Sequence, residues 1–209
     1  MKEFALIFCS LFILSGCSTL NGSVPFHYVP SLSSMHQNSA VLGMEKFVDR
    51  RPVEDQEATK SIPDIDEKVT AKILDDLKSS RMFADIHFPA RSDKDDLIFK
   101  GEIKRFYWKT KHNPIKFIPM VQMLLLLGIT SHNIEAVVEL KVQIVDAKTG
   151  AVLSEYDKTS IKTDSGTLYV NKSGESGSEL AEAFRDVVKQ IKDSLAADIQ
   201  TEKIRVRTM

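Results

Sequence analysis

The sequence predicts an α+β domain with the element order β-α-β-β-β-β-α, a mostly antiparallel sheet with two helices packed on one face. Three observations lead there. Between Asn133 and Val145, Ile134, Ala136, Val138, Leu140, Val142 and Ile144 fall on one face, while Glu135, Glu139, Lys141 and Gln143 fall on the other, the period of a half-buried strand. Two other stretches space their apolar residues as helices do: Ile65, Val69, Ile73, Leu74 and Leu77 in one, and Leu180, Phe184, Val187, Val188, Ile191, Leu195 and Ile199 in the other. Short turn-forming runs such as Asp146-Ala147-Lys148-Thr149-Gly150 join the remaining strands as hairpins do.

Residues 1–16 precede this domain and read as a targeting segment. Lys2 supplies a charged start, Phe4 to Leu14 an apolar core, and small residues lead to Cys17, the layout of a secretory signal. The tetrapeptide Leu14-Ser15-Gly16-Cys17 resembles the bacterial lipobox. That resemblance implies that Cys17 becomes the acylated mature N-terminus, with a diacylglyceryl group on its sulfur and an acyl chain on its nitrogen. Each buried CH₂ contributes about 0.8 kcal/mol, and several chains together hold a protein on a bilayer without a spanning helix. Ser18 follows the cysteine where inner-membrane lipoproteins carry Asp, so the resemblance further implies the outer membrane, on its periplasmic face.

Cys9 leaves with the signal and Cys17 is spent on lipid, so neither of the two cysteines remains for a disulfide or a metal. The folded part must rely on its apolar core. Lys and Arg number 28 against 29 Asp and Glu, a balance that gives no electrostatic footprint for nucleic acid. Residues 17–38 are rich in Ser and Asn, carry Pro25 and Pro30, and read as the lipidated N-terminus and a flexible linker. A coil of about 20 residues spans roughly 25 Å on average, enough to let a folded body hang from a membrane.

The domain is expected over residues 39–200. Ser39–Val48 has strand composition, and DRRPVEDQEATK after it reads as a charged loop. Ser61 is placed to cap the first helix, with Pro63 and Asp64 in its first turn. Ala84–Phe88 forms a short strand closed by Pro89. In Leu97–Trp108 one face collects Leu97, Phe99, Gly101 and Ile103 and then yields to Phe106 and Trp108, which predicts a bulge near Arg105. Ala151–Thr163 is weakly patterned, as an edge strand would be, and Ser176-Gly177-Ser178-Glu179 fits a capping box for the last helix. Residues 201–209 are a basic, solvated tail.

The strands around Asp96-Leu97-Ile98-Phe99-Lys100-Gly101 and Leu140-Lys141-Val142-Gln143-Ile144-Val145-Asp146-Ala147-Lys148-Thr149-Gly150 resemble those of envelope lipoproteins and periplasmic modules related to the amino-terminal domain of TolB, including curli-secretion and penicillin-binding-protein-activator lipoproteins. The resemblance spans about Ala40 to Ile199. It implies a non-enzymatic accessory or assembly role in the envelope and transfers no catalytic residue.

One stretch stands out. Residues 114–130 form an apolar insertion between two strands that a tight hairpin could have joined: Phe117, Ile118, Met120, Val121, Met123, Leu124, Leu125, Leu126 and Leu127 crowd into it. Even as a continuous helix, Met120–Ile129 rises only about 15 Å, half a hydrocarbon core. Three readings stay open for it: cover for the bare face of the sheet, insertion into a membrane surface, or contact with an envelope protein or a second copy of the chain. Lys109, Lys111, His112 and Lys116, with Tyr107 and Trp108 just before them, modestly favour a membrane or partner contact over pure core, although the same residues could also end a twisted strand.

No G-x-S-x-G, H-E-x-x-H or G-x-x-x-x-G-K motif occurs, and Lys148-Thr149-Gly150 is a turn. The five histidines are scattered, and Asp75-Asp76 and Asp93, Asp95, Asp96 read as helix-surface and turn charges. The expectation is therefore no enzyme, no metal and no cofactor beyond the lipid on Cys17. The expected partners are the membrane and an envelope protein or further copies of the chain. A membrane-inserting or pore-forming oligomer and a periplasmic lipid carrier are the alternatives.

Overall fold

A computed structural model describes residues 38–112, 130–167, 178–201 and 203–204. Along the chain run β1 (Asn38–Met44), β2 (Val48–Asp49), α1 (Val53–Ala58), α2 (Ile65–Ser80), β3 (Phe83–His87), β4 (Leu97–His112), β5 (Thr130–Asp146), β6 (Val152–Thr167) and α3 (Ser178–Gln200). The strands form one sheet in the order β3-β1-β4-β5-β6, with β2 also paired to β4. The three longest strands are antiparallel neighbours, as the alternating sequence predicts. Strand β1, in contrast, runs parallel to both β3 and β4, because α2 returns the chain to the starting side before β3 begins.

Both long helices lie over one face. Ile65, Val69, Ile73 and Leu77 of α2 and Leu180, Phe184, Val187, Val188, Ile191 and Leu195 of α3 share a core with Leu42, Phe99, Ile103, Val138, Leu140 and Val142. The predicted bulge is present: the β4–β5 register shifts between Ile103 and Arg105. It turns Phe106 into the core, where its ring meets Phe184 edge-on at 6.2 Å, and leaves Tyr107 on the opposite face. An extra residue in one strand reverses which side chains point inward, so the broken alternation is the mark of a single continuous strand.

Four expectations need correction. The charged loop after β1 contains β2 and α1, since Pro52 suits the position before a helix and Glu54 and Asp55 favour its first turn. Helix α2 begins at Ile65 behind a left-handed Asp64 (φ 53°), with no side-chain cap from Ser61. Asp76 is a core residue: its carboxylate meets the Lys192 ammonium at 2.9 Å between the two helices, both side chains at most 1% exposed. Asp95, read as a turn charge, has a wholly buried side chain.

Candidate functional site

Cys17 and the apolar residues Phe117, Ile118, Met120, Val121, Met123 and Leu124 to Leu127 lie outside the described residues, as do the proposed signal, the linker up to residue 37 and helix-capping residues 176–177, whereas Asn38, expected as the last linker residue, opens β1. The strands still show where those segments leave the sheet. Strand β1 enters beside the start of β4, Leu42 opposite Leu97, and the turn after β5 lies at the same level because Leu97 faces Asp146. Asn38 also reaches the carbonyl of Ile204, bringing the two ends of the domain together. His112 and Thr130, which bracket the apolar insertion, stand at the other end of β4 and β5. From Leu97 to His112 the strand covers about 50 Å at roughly 3.4 Å per residue.

Between those ends, the sheet face without long helices carries cross-strand rows of side chains. Strand pairing sets Lys100 beside Gln143 and Glu155, Glu102 beside Lys141 and Asp157, and Arg105 beside Glu139 and Thr159. Lys141 bonds Glu155 at 3.0 Å, Lys100 bonds Glu45 at 3.1 Å, and Lys104 pairs with Asp157 and, at 3.7 Å, with Glu139. These partners are all partly exposed, so the ladder is hydrated and each pair contributes little stability. It leaves a polar surface with one shallow hollow among Lys46, Lys100 and Lys141.

The next row is apolar: Tyr107, Val137 and Ile161. Tyr107 and Val137 are buried, whereas Ile161 at the sheet edge is 60% exposed. Arg105 and Lys109 approach the Tyr107 ring at 4.7 and 4.4 Å from its centroid, and the phenol donates to Glu135 at 3.3 Å. Burial raises the phenol's pKa, with the Arg105 charge opposing. Helix α1 completes this cluster through Asp55, buried to 1%, whose carboxylate accepts from Arg105 Nε at 3.0 Å. Arg51 bonds Asp49 and Thr59 and donates to the Phe106 carbonyl at 3.3 Å. It thereby satisfies β4 where β2 has ended.

At the chain-entry end, His87 joins two acids. Its Nδ1 lies 2.6 Å from Asp95 Oδ1 and its Nε2 lies 3.2 Å from Asp85 Oδ2. Both ring nitrogens thus lie within hydrogen-bond distance of a carboxylate oxygen. Among the described residues, no group of three or more His, Cys, Asp or Glu side chains is arranged to hold a metal ion.

Two local signals in the sequence point at these places. Glycine inside a strand marks close approach: a Cβ on Gly43 would lie 2.0 Å from Asp95 Oδ2, and one on Gly101 would lie 2.2 Å from the Phe47 ring. The clusters around Asp55 and Tyr107 have no such marker, since their members come from separate elements.

No protein-family model and no curated protein sequence matches the chain. In fold it is similar to a Xanthomonas campestris protein of the family model DUF330, at 12% identity and a TM-score of 0.55 over 84% of this chain and 97% of that one. It is also similar to a Helicobacter pylori protein described as a homologue of neuraminyllactose-binding hemagglutinin, at 8% identity and a TM-score of 0.51 over 85% and 97%. Rare lipoprotein B from Shewanella oneidensis aligns at 12% identity and a TM-score of 0.40 over 78% and 98%. At these identities the first two likenesses establish a shared α+β fold spanning nearly the whole of each relative.

Proposed function

We propose that the chain is an outer-membrane lipoprotein, anchored by acylated Cys17, whose periplasmic domain acts by binding as a non-enzymatic accessory or assembly subunit of an envelope machine for transport, secretion or cell-wall synthesis. The observation that carries this reading is the separation of two ends. The tether from Cys17 joins the sheet at β1, beside the start of β4, and the apolar insertion leaves it from His112 and Thr130, about 50 Å along the strands. A protein built this way holds a membrane with one end and presents an apolar contact with the other. The strand motifs that resemble TolB-amino-terminal modules support an envelope role. The hydrated face between the ends bears on the insertion as well, because its Lys, Glu and Asp rows do not need apolar cover along most of their length.

The test uses the acylated full chain in mild detergent. Mass spectrometry of the mature N-terminus is expected to find a diacylglyceryl and an N-acyl group on Cys17. Crosslinking followed by pull-down is expected to capture a defined envelope protein with the wild type and to lose it when Leu124 to Leu127 become serine, with unfolding temperature and membrane fractionation unchanged. An unmodified amino terminus, or retention of every crosslinked partner by the serine variant, overturns the proposal.

A further inference from the structure

Strand β6 closes one side of the sheet. Among the described residues it pairs with β5 alone, over Val152–Thr167, so the backbone groups on its other side meet no strand. The opposite edge, β3, is only 5 residues long. A long, flat, open edge is a template for another strand unless proline, a bulge or unmatched charge blunts it. Strand β6 contains no proline, and its register with β5 runs unbroken from Ser154 to Gly166. Thr159, Ile161 and Thr163 on its outer face are exposed and β-branched, as suits a strand with neighbours on both sides. Ile161 ends the apolar row that begins with Tyr107 and Val137, and it is 60% exposed. On the helix-covered face, Lys162 is held by Asp186 at 2.5 Å and Glu182 at 3.7 Å, both from α3 of its own chain. Lys158, half-buried on the same face, has no ion pair among the described residues.

We infer that β6 pairs antiparallel with β6 of a second copy of this chain, about a two-fold axis at Ile161, and so joins two sheets into one. Such an axis keeps each face of the sheet continuous only if it passes through a residue facing its own counterpart. Centred on Ile161, it sets Ile161 against itself, Thr159 against Thr163 of the second copy, and Lys158 against Asp164 of the second copy. The apolar row then runs unbroken from one Tyr107 to the other. Moved to Ser160, the axis sets Lys158 against Lys162; moved to Lys162, it sets that lysine against itself. Moved to Thr159, it breaks the apolar row by setting Ile161 against Asp157. The edge is therefore complementary to its own two-fold copy in one register. The two copies run head to tail, so each end of the doubled sheet carries one tether and the other copy's apolar insertion. A linker of residues 17–37 reaches about 70 Å when stretched, enough for both Cys17 groups to share one bilayer. This inference goes beyond the adaptor reading and does not depend on it, since pairing through β6 leaves both ends of each copy open.

Disulfide trapping of the acylated full chain tests it, with detergent in large excess so that copies do not share a micelle. Facing residues of an antiparallel pair lie about 4.5–5.5 Å apart at Cα, within disulfide reach. Ile161→Cys is expected to link to itself under mild oxidation. Thr163→Cys alone is expected not to, because four residues of stagger hold its two copies about 14 Å apart. Mixed with Thr159→Cys, it is expected to link across. Crosslinks are assigned from the disulfide-bonded peptides, so the result is independent of whether Cys17 carries lipid. It is also distinct from loss of a captured partner by the Leu124 to Leu127 serine variant. Light scattering measures the unlinked dimer. Lys158→Asp sets like charges opposite each other on both sides of the axis and is expected to weaken dimerisation about tenfold, with the unfolding temperature of the monomer unchanged. Absence of the Ile161→Cys crosslink, self-linking of Thr163→Cys as readily as the mixed pair, or a Lys158→Asp dimer as tight as the wild type overturns the pairing.

Discussion

Replacing Lys192 by methionine leaves the Asp76 carboxylate in the core without the ammonium that faces it at 2.9 Å. The side chains are 1% and 0% exposed, so water cannot take the partner's place while the helices stay packed. Removing one member of such a pair costs about 3–5 kcal/mol, because the remaining charge stays desolvated. A domain of this size loses roughly 2–4 °C per kcal/mol, so the single variant is expected to melt about 6–20 °C below the wild type. Thermal unfolding followed by far-ultraviolet circular dichroism measures this. The double variant Lys192→Met/Asp76→Leu removes both charges and keeps apolar volume between α2 and α3. It is expected to recover most of the loss, within about 1–2 kcal/mol of the wild type. A single variant that melts within 2 °C of the wild type, or a double variant as unstable as the single one, refutes the reasoning, since the pair would then be hydrated or its removal felt only through packing.

The other predictions concern single positions. Gly43→Ala places a methyl group 2.0 Å from Asp95 Oδ2 and 2.9 Å from Ala90 Cβ, and is expected to destabilise by about 1–3 kcal/mol in denaturant unfolding. Gly101→Ala meets the buried Phe47 ring at 2.2 Å, and the smaller side chain of Phe47→Leu in the same molecule is expected to restore part of the lost stability; strictly additive losses would show that the ring moves aside unaided. At Asp198, burial works against ionisation, but bonds from Ser154 at 2.6 Å, Tyr156 at 2.7 Å and Lys203 at 3.2 Å outweigh it and hold the carboxyl below its ordinary 3.8. A carboxyl lowered in the folded state stabilises above its unfolded value and loses that contribution as the pH falls through the lower folded one. Melting temperatures recorded from pH 6 downward are therefore expected to drop below about pH 4, and Asp198→Asn is expected to show a shallower drop. An Asp198→Asn variant as acid-sensitive as the wild type would contradict the assignment.

Much of the architecture was legible because the informative interactions are short in range. Period-two alternation named β5 and its inner face, helical spacing named the buried stripes of α2 and α3, and the break after Ile103 located a bulge before any partner strand was known. These patterns survive in one dimension since each reports a single face turned toward apolar surroundings. The parallel pairing of β1 was not legible, for strand composition does not record which neighbour a strand meets. Nor was α1, whose six residues are too few to display a period and which is held by the Asp55–Arg105 bond.

By itself, the sequence determined the class of fold, through apolar residues spaced for one sheet and two long helices, and it alone carries the proposed anchor at Cys17. Only the tertiary structure decided which charges are structural. Asp75 and Asp76 are adjacent in the chain, yet the first is exposed and the second is buried against Lys192. Asp93 and Asp95 divide in the same way, and Asp95 finds His87. A carboxylate's role depends on which cation reaches it and whether water does, and both are set by elements distant in sequence that folding brings within about 3 Å of one another.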